Sequence, residues 1–171
     1  HPVAHSFPTR RSSDLIETDI KTVYTFLKDE AVFAQPVKYF AKFDVVSKMA
    51  LCTCGLALWD AGTTAGETNN WGIIGTNQRG CLTANLDYFQ DYVDNGREKA
   101  RGKLFVYTLP STPLAETAIA FGCQGPQIYL QAPQTDMVLL LDQAVQIMAD
   151  SKTNGILAVY AEDTNGLALT L

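Results

Sequence analysis

Histidine is almost missing from this sequence. The only two, His1 and His5, lie within its first five residues, and residues 16–171 contain none. An imidazole base, a Cys-His pair and a histidine-ligated zinc site are therefore excluded from that part of the chain. Long apolar runs are missing too: no stretch approaches the roughly 20 residues that span a bilayer, so no membrane span is predicted.

Positive charge is also scarce. The chain has 13 Lys and Arg against 18 Asp and Glu, and a net charge of −5. An acidic chain without a basic cluster is a poor candidate for binding nucleic acid or an anionic membrane.

No signal peptide is recognisable, so the four cysteines are predicted to be reduced and the protein cytoplasmic. Cys52 and Cys54 stand in an apolar helical stretch and are predicted core thiols.

The segment HSFPTRRSSDL, at residues 5–15, has neither the apolar core of a signal peptide nor an apolar period. A nucleotide sequence that encodes this segment resembles a common short-read sequencing adapter. We therefore predict that residues 1–15 are an adapter-derived or disordered leader. Residues 16–171 are long and apolar enough to form one globular domain.

Apolar spacing divides the rest of the chain into helices and strands. The helices are predicted near 47–61, 81–95, 112–121 and 134–150, and the strands near 71–76, 127–132, 155–162 and 167–171. Because strands alternate with helices, the fold class is α/β, with a mainly parallel sheet layered with helices. The last two strands are joined by only a few residues, so that pair is antiparallel and the sheet is mixed.

Local signals add detail to these elements. Ser47 is a candidate N-cap of the first helix. Ser111 or Thr112 begins the third helix, with Glu116 in capping-box range. The second helix carries a stripe of apolar residues, and the fourth is apolar on almost all sides at residues 137–141, which predicts that it is buried. Residues 104–110 are predicted to be extended, and residues 16–46 irregular with room for one short helix.

Three stretches carry a resemblance to a known family: FDVVSKMALCTCGLALWDAG, GIIGTNQRGCLTANLDYF and LFVYTLPSTPLAETAIAFGCQGPQIYL. Together they resemble the N-terminal half of the β-ketoacyl-acyl carrier protein synthases, from Phe43 to about Asp163. The turn Gly125-Pro126 with its flanking strand and helix is the most specific part. The resemblance implies a thiolase-like fold, of which this chain supplies most of one half, and an acyltransferase family.

The family's nucleophile is replaced here. The family places its cysteine eight residues after the proline of that turn, at a helix N-terminus that favours the thiolate and lets it take up an acyl chain. This position is Gln134, and residues 124–171 contain no cysteine. Glutamine stands there in chain-length-factor subunits and in decarboxylating loading ketosynthases, which still use histidines. A degenerate paralogue with a neutral polar residue is the alternative.

The resemblance thus implies no catalytic residue, cofactor or metal in this chain, and leaves open whether it is an enzyme. One hypothesis is a pseudoenzyme: a non-condensing subunit that forms a homodimer, or a heterodimer with a true ketosynthase, through the strand Gln127–Ala132. Acyl carrier protein is a possible further partner. The alternative is a fragment of a longer β-ketoacyl synthase whose C-terminal half is missing.

Other polar residues have ordinary explanations. Cys81, at a helix start, is mildly activated at most, and Cys123 is predicted to be a core residue. Asp136 is a favourable charge near a helix N-terminus rather than a base. Four aspartates have the spacing of solvated helix faces rather than of a metal site: Asp60, Asp87, Asp91 and Asp94.

Overall fold

The computed structural model describes residues 20–64, 66–96, 101–131 and 137–171. The leader predicted for residues 1–15 lies outside these ranges. The described elements follow the order α1 (Ile20–Asp29), a 3₁₀ turn (Phe40–Lys42), α2 (Val45–Asp60), β1 (Trp71–Asn77), α3 (Leu82–Asn95), α4 (Gly102–Val106), α5 (Thr112–Phe121), β2 (Gln127–Gln131), α6 (Met137–Asp150), β3 (Gly155–Ala161) and β4 (Gly166–Thr170). Each predicted helix and strand has its counterpart among them.

The strands form one mixed sheet in the order β2-β1-β3-β4. Strand β1 is central and parallel to both neighbours, with Ile74 opposite Ile128 of β2 and Ala158 of β3. Strand β4 is antiparallel to β3, with Leu169 opposite Ala158. The predicted fold class, a mixed and mainly parallel sheet layered with helices, is confirmed.

The two faces of the sheet carry different helices. Successive residues of a strand point to opposite faces, so Ile73 and Leu157 lie on one face while Ile74 and Ala158 lie on the other. The first pair belongs to a core shared with α1, α2 and α5, here called the α2/α5 face. The second pair belongs to a smaller core shared with α6, here called the α6 face.

Helix α2 is buried along most of its length, between α1, α5 and the sheet. Its Gly55 packs so close to α1 that a Cβ there would lie 2.5 Å from a methyl carbon of Leu27. Its N-cap is Asp44, whose Oδ1 accepts a hydrogen bond from the Ser47 amide at 3.1 Å. The prediction that Ser47 is the cap is wrong, because Ser47 lies in the first turn and is fully buried.

Residues 104–110 do not form the predicted extended segment. Gly102–Val106 is helical, and the amides of Leu104 and Phe105 donate to the Arg101 carbonyl at 3.0 and 3.3 Å. A strand needs a neighbour for its backbone groups. Here local turn bonds satisfy the backbone groups of this apolar segment instead.

Two helices expose apolar side chains that their sequence patterns predict to be buried. On α6, Leu140 and Ala144 face the sheet, whereas Val138 is 76% and Val145 57% exposed, so the prediction of burial on almost all sides is wrong. The stripe of α3 is also exposed: Leu82, Leu86, Phe89 and Val93. Within the described ranges, every helix is too short or too polar to cross a bilayer.

Candidate functional site at the carboxyl ends of the strands

The parallel strands β2, β1 and β3 end at the same edge of the sheet. The chain leaving β1 passes through α5, which packs on the α2/α5 face, whereas the chain leaving β2 enters α6 on the opposite face. Where successive connections diverge in this way, a crevice opens at the strand ends, and α/β proteins commonly bind ligands there. This edge is therefore the candidate site.

Asn77, the buried last residue of β1, ties the three strand ends together. Its Nδ2 donates to the carbonyls of Gly80 at 2.9 Å and Ala161 at 3.1 Å. Its Oδ1 accepts from the Gly80 amide at 2.8 Å and from the Tyr129 hydroxyl at 2.8 Å. Both ends of one side-chain amide are thus satisfied by groups following β1, within β2 and at the end of β3, which stabilises this edge.

Glu162 holds the loop after β1. Its carboxylate is buried at the end of β3, and its Oε1 accepts from the amides of Gln78 at 2.5 Å and Arg79 at 3.3 Å. The hydroxyl of Tyr160 donates to the same oxygen at 3.5 Å. A carboxylate bound to backbone amides is a positioning device, and here it sets the path of the chain from β1 into α3.

Cys81 occupies the N-cap position of α3, where a helix dipole favours a thiolate. It is buried, however, and its Sγ donates to the Thr108 carbonyl at 2.6 Å. Burial raises the pKa of the Cys81 thiol and the charge of Asp44 adds to the rise, against the opposing hydrogen bond from Asn85. The thiol is therefore protonated near neutral pH, and the mild activation expected from its position is outweighed by desolvation.

The other three cysteines are buried, unpaired thiols in the core, as the sequence predicts. Burial raises the pKa of Cys52 to about 12 and that of Cys123 to about 11, and it also raises the pKa of Cys54. Such thiols pack as small apolar groups and are poor nucleophiles.

The position that the resemblance marks as the nucleophile, Gln134, lies outside the described residues, as do Pro133 and Asp136. The described chain reaches Gln131 at the end of β2 and resumes at Met137 in α6. Gln134 therefore stands, along the sequence, between a strand that ends at the candidate site and the helix on the α6 face. Its role at that site stays a prediction.

Two predictions about carboxylates are wrong. Ser111 makes no side-chain capping hydrogen bond, so Glu116 is not part of a capping box. It is half-buried on α5, where burial and the charge of Asp44 raise its pKa. Asp91 is not on a solvated helix face: its side chain is 4% exposed and its Oδ1 accepts from Arg101 at 2.5 Å. That ion pair lowers the pKa of Asp91.

Sequence reasoning missed the hydrogen bonds of Asn77, Tyr129 and Glu162. Each of these residues is unremarkable in its own stretch of sequence, and the bonds from Tyr129 to Asn77 and from the Gln78 amide to Glu162 join positions that are more than fifty residues apart along the chain. A polar residue at the end of a buried apolar strand is the one signal that points to such a role, and Asn77 carries it. Among the described residues, no group of three or more His, Cys, Asp or Glu side chains could hold a metal ion.

Comparison with known proteins finds solved structures with a similar fold. No protein-family profile and no curated protein sequence matches the chain. The ishigamide ketosynthase/chain length factor matches with a TM-score of 0.61 and 23% identity, over 71% of this chain and 35% of that one. The chain has a ketosynthase fold.

Two further structures agree. A ketosynthase (ApeO) in complex with its chain length factor (ApeC), from Xenorhabdus doucetiae, matches with a TM-score of 0.57 and 16% identity, over 74% of this chain and 49% of that one. A β-ketoacyl synthase from Burkholderia phymatum STM815 matches with a TM-score of 0.56 and 19% identity, over 67% and 29%. This ketosynthase-like chain thus spans between about a third and a half of the structures it matches.

Proposed function

We propose that this chain is a non-condensing, ketosynthase-like subunit of chain-length-factor type, which pairs with an active ketosynthase in fatty-acid or polyketide biosynthesis. The observation that carries the proposal is a ketosynthase fold combined with Gln134 at the position of the resembled family's nucleophilic cysteine. A glutamine amide cannot form the thioester that holds an acyl chain. Residues 16–171 also contain no histidine to promote decarboxylation or to stabilise an oxyanion.

The surface of the described chain supports pairing. Strand β2 lies at the edge of the sheet, and its apolar residues Ile128 and Leu130 are only half-buried. Close by in the chain, α6 exposes Val138 and Val145. An apolar edge strand and exposed apolar helix surface are features that a second subunit covers. As part of the same proposal, the chain acts in the cytoplasm, with acyl carrier protein as a further partner.

Intact-mass measurement tests the chemical half of the proposal. The full chain is incubated with a malonyl or longer acyl thioester of acyl carrier protein or coenzyme A, and a condensing β-ketoacyl synthase is run in parallel as the positive control. We expect an adduct on the synthase and none on this chain. A stable acyl adduct that maps to residues 131–137 would contradict the proposal, and one on Cys81 would indicate a different activity.

The substitution Gln134→Cys sharpens the same assay. It restores the thiol but not the histidines, so we expect slow acylation at most and no condensation without a partner. Gln134→Ser is the matched control, because it alters the same position without adding a thiol. Full condensing activity of Gln134→Cys by itself would show that the chain holds a complete catalytic apparatus, and the proposal would be wrong.

Light scattering tests the pairing. We expect the purified chain to elute from size exclusion as a dimer or a larger species, alone or after co-expression with an active ketosynthase. A charged substitution at a half-buried residue of the edge strand, Ile128→Lys, should weaken that association, and circular dichroism of the variant shows whether it is folded. A monomer under both conditions would contradict the pairing.

This chain covers only 35% of the first matched structure and 29% of the third. The limited coverage favours a second candidate function. In this alternative the chain is a segment of a longer β-ketoacyl synthase whose chemistry resides in its other half. Reading the gene beyond the Leu171 codon distinguishes the two. Continued coding with histidine-containing ketosynthase motifs favours the segment, and a stop codon there favours the subunit.

A further inference from the structure

A cleft of about 480 Å³ lies away from the strand ends, between the loop that precedes α2 and the short helix α4. Three exposed lysines line it: Lys38 and Lys42 on the loop and Lys103 on α4. The buried ring of Phe43 and the half-buried ring of Tyr107 also line it, with centroids 6.3 Å apart. The cleft thus combines cationic and aromatic walls.

The charge of this cleft is opposite to that of the whole chain. The chain carries −5, yet three lysine residues line this one cleft. Among the described residues Glu116 is the one carboxylate in the lining, so positive charge is in excess. Ammonium groups around a common cavity repel each other, and a bound anion removes that repulsion.

The backbone at the rim is strained. Tyr39 has φ 64°, in the left-handed region that residues with a side chain rarely adopt, and its ring is 69% exposed. The conformation does not bury the ring. Instead, the Tyr39 carbonyl accepts from the Lys42 amide at 2.7 Å, and the Lys42 ammonium lies 4.5 Å from the centre of the tyrosine ring. The strained residue therefore holds Lys42 at the cleft, and such strain is typical of ligand-binding loops.

The size and the walls of the cleft select a class of ligand. The cleft is open to solvent, and its volume of about 480 Å³ lies within the range of small-molecule sites. Burial raises the pKa of Tyr107 to about 12, so its hydroxyl is neutral and the aromatic wall carries no charge. An organic anion with one charged end and one flat or apolar end complements these surfaces.

We propose that this cleft binds an organic phosphate, with the phosphate between Lys38, Lys42 and Lys103 and the aromatic or apolar group against Phe43 and Tyr107. A phosphomonoester is close to a dianion at neutral pH and has three terminal oxygens, so it can accept from three ammonium groups at once. A carboxylate offers one charge and two oxygens. This proposal does not depend on the role proposed for Gln134.

Titration of the ¹⁵N-labelled full chain with phenyl phosphate tests the proposal by NMR. We expect the amide signals of residues 38–43 and 103–107 to shift together and to saturate. Lys42→Gln and Lys103→Gln should each weaken binding by about 3- to 10-fold, and added salt should weaken it further. Lys152→Gln, at an exposed lysine outside the cleft, is the matched control and should bind as the unmodified chain does. The amide spectrum of each variant shows that it is folded.

Further probes separate the two parts of the site. Inorganic phosphate and benzyl alcohol should each bind more weakly than phenyl phosphate, because each occupies only one wall. Phenyl phosphate that causes no saturable shifts, or that binds both lysine variants as tightly as the unmodified chain, would overturn the proposal. An acidic helical peptide that shifts these amides when phenyl phosphate does not would show a protein-docking surface instead. The acylation assay at Gln134 is independent of all these outcomes.

Discussion

Both faces of the sheet are covered by helices rich in apolar residues, but the helix residues are buried to different degrees on the two faces. On the α2/α5 face, three helices form layers over the sheet, and Leu27, Leu58 and Phe121 are at most 1% exposed. On the α6 face, α6 is the one helix among the described residues that covers the sheet, and its outward residue Val138 is 76% exposed. Apolar residues on every side of a helix therefore do not ensure burial; the number of elements packed around the helix decides it.

The largest effect is expected at the centre of the α2/α5 face. Phe121→Ala removes a ring that packs on Phe33 with a centroid distance of 5.4 Å, and it should lower the free energy of unfolding by about 3–5 kcal/mol. Urea denaturation monitored by circular dichroism measures the change. Ile119→Ala, on the exposed side of the same helix, is the control and should change stability by less than about 1 kcal/mol. Equal effects would mean that α5 is not packed as described.

A smaller effect is expected on the α6 face. Leu140→Ala should cost about 2–3 kcal/mol, because Leu140 is 1% exposed but belongs to a thinner core that can relax into the space. The same urea experiment measures it, with Leu139→Ala on the 44% exposed side as the control. A loss larger than that of Phe121→Ala would reverse the ranking of the two faces.

The pH dependence of stability tests the start of α2. Burial, with a smaller contribution from Asp163, raises the pKa of Asp44 above 3.8 despite its hydrogen bond to Ser47. The folded state then binds the proton more tightly than the unfolded state, so ionisation of Asp44 lowers stability as the pH rises from about 3.8 through the folded-state pKa. Asp44→Asn keeps an oxygen for the cap and cannot ionise, so its unfolding free energy should fall less over that range.

Asp44→Ala is the matched control for that experiment. It also removes the titration, but it takes away the capping oxygen and should be about 1 kcal/mol less stable than Asp44→Asn. Equal slopes of stability against pH in the Asn variant and the unmodified chain would contradict the prediction. Glu116, whose pKa is also raised, contributes the same sign of pH dependence in all three proteins.

The smallest effect on unfolding is expected on the outward side of α6. Val145→Asn replaces a side chain that is 57% exposed, so the monomer should change in stability by about 0.5 kcal/mol or less. If the α6 face meets a second subunit, the same substitution should shift light scattering towards the monomer. A loss of stability above 2 kcal/mol that does not depend on protein concentration would show that Val145 is buried within the chain itself.

The elements that the sequence predicts correctly are those with strong local signals. Helix α5 has a proline in its first turn and Gly122 with φ 73° at its end, and α3 ends at Gly96 with φ 75°. The errors fall where tertiary contacts decide. Residues 104–110 have a strand-like composition, but local turn bonds satisfy their backbone groups in the folded chain. Asp91 looks like a solvated charge, but Arg101 reaches it from the chain that follows α3.

The features of the candidate site also divide into those that the sequence shows and those that only the structure shows. The replacement of the resembled family's cysteine by Gln134 and the lack of histidine can be seen only in the sequence, and they carry the proposal of a non-condensing role. The hydrogen bonds of Asn77 to groups near the ends of β2 and β3 could not be predicted, because they join residues brought together by the parallel pairing of three strands. The lysine-lined cleft is of the same kind, since Lys42 and Lys103 are sixty-one positions apart in the sequence and line one cleft only in the folded chain.

The sequence by itself determined the type and approximate bounds of the long helices and of the strands, and the lack of a cysteine after Cys123. Apolar periods, capping residues and glycines act over a few residues, so they can be read without knowing the fold. Tertiary structure alone decided which apolar stripe was covered, which thiol was desolvated and which polar groups met at the strand ends. These properties depend on what lies against each residue in space, and burial and hydrogen bonding are settled only when distant parts of the chain pack together.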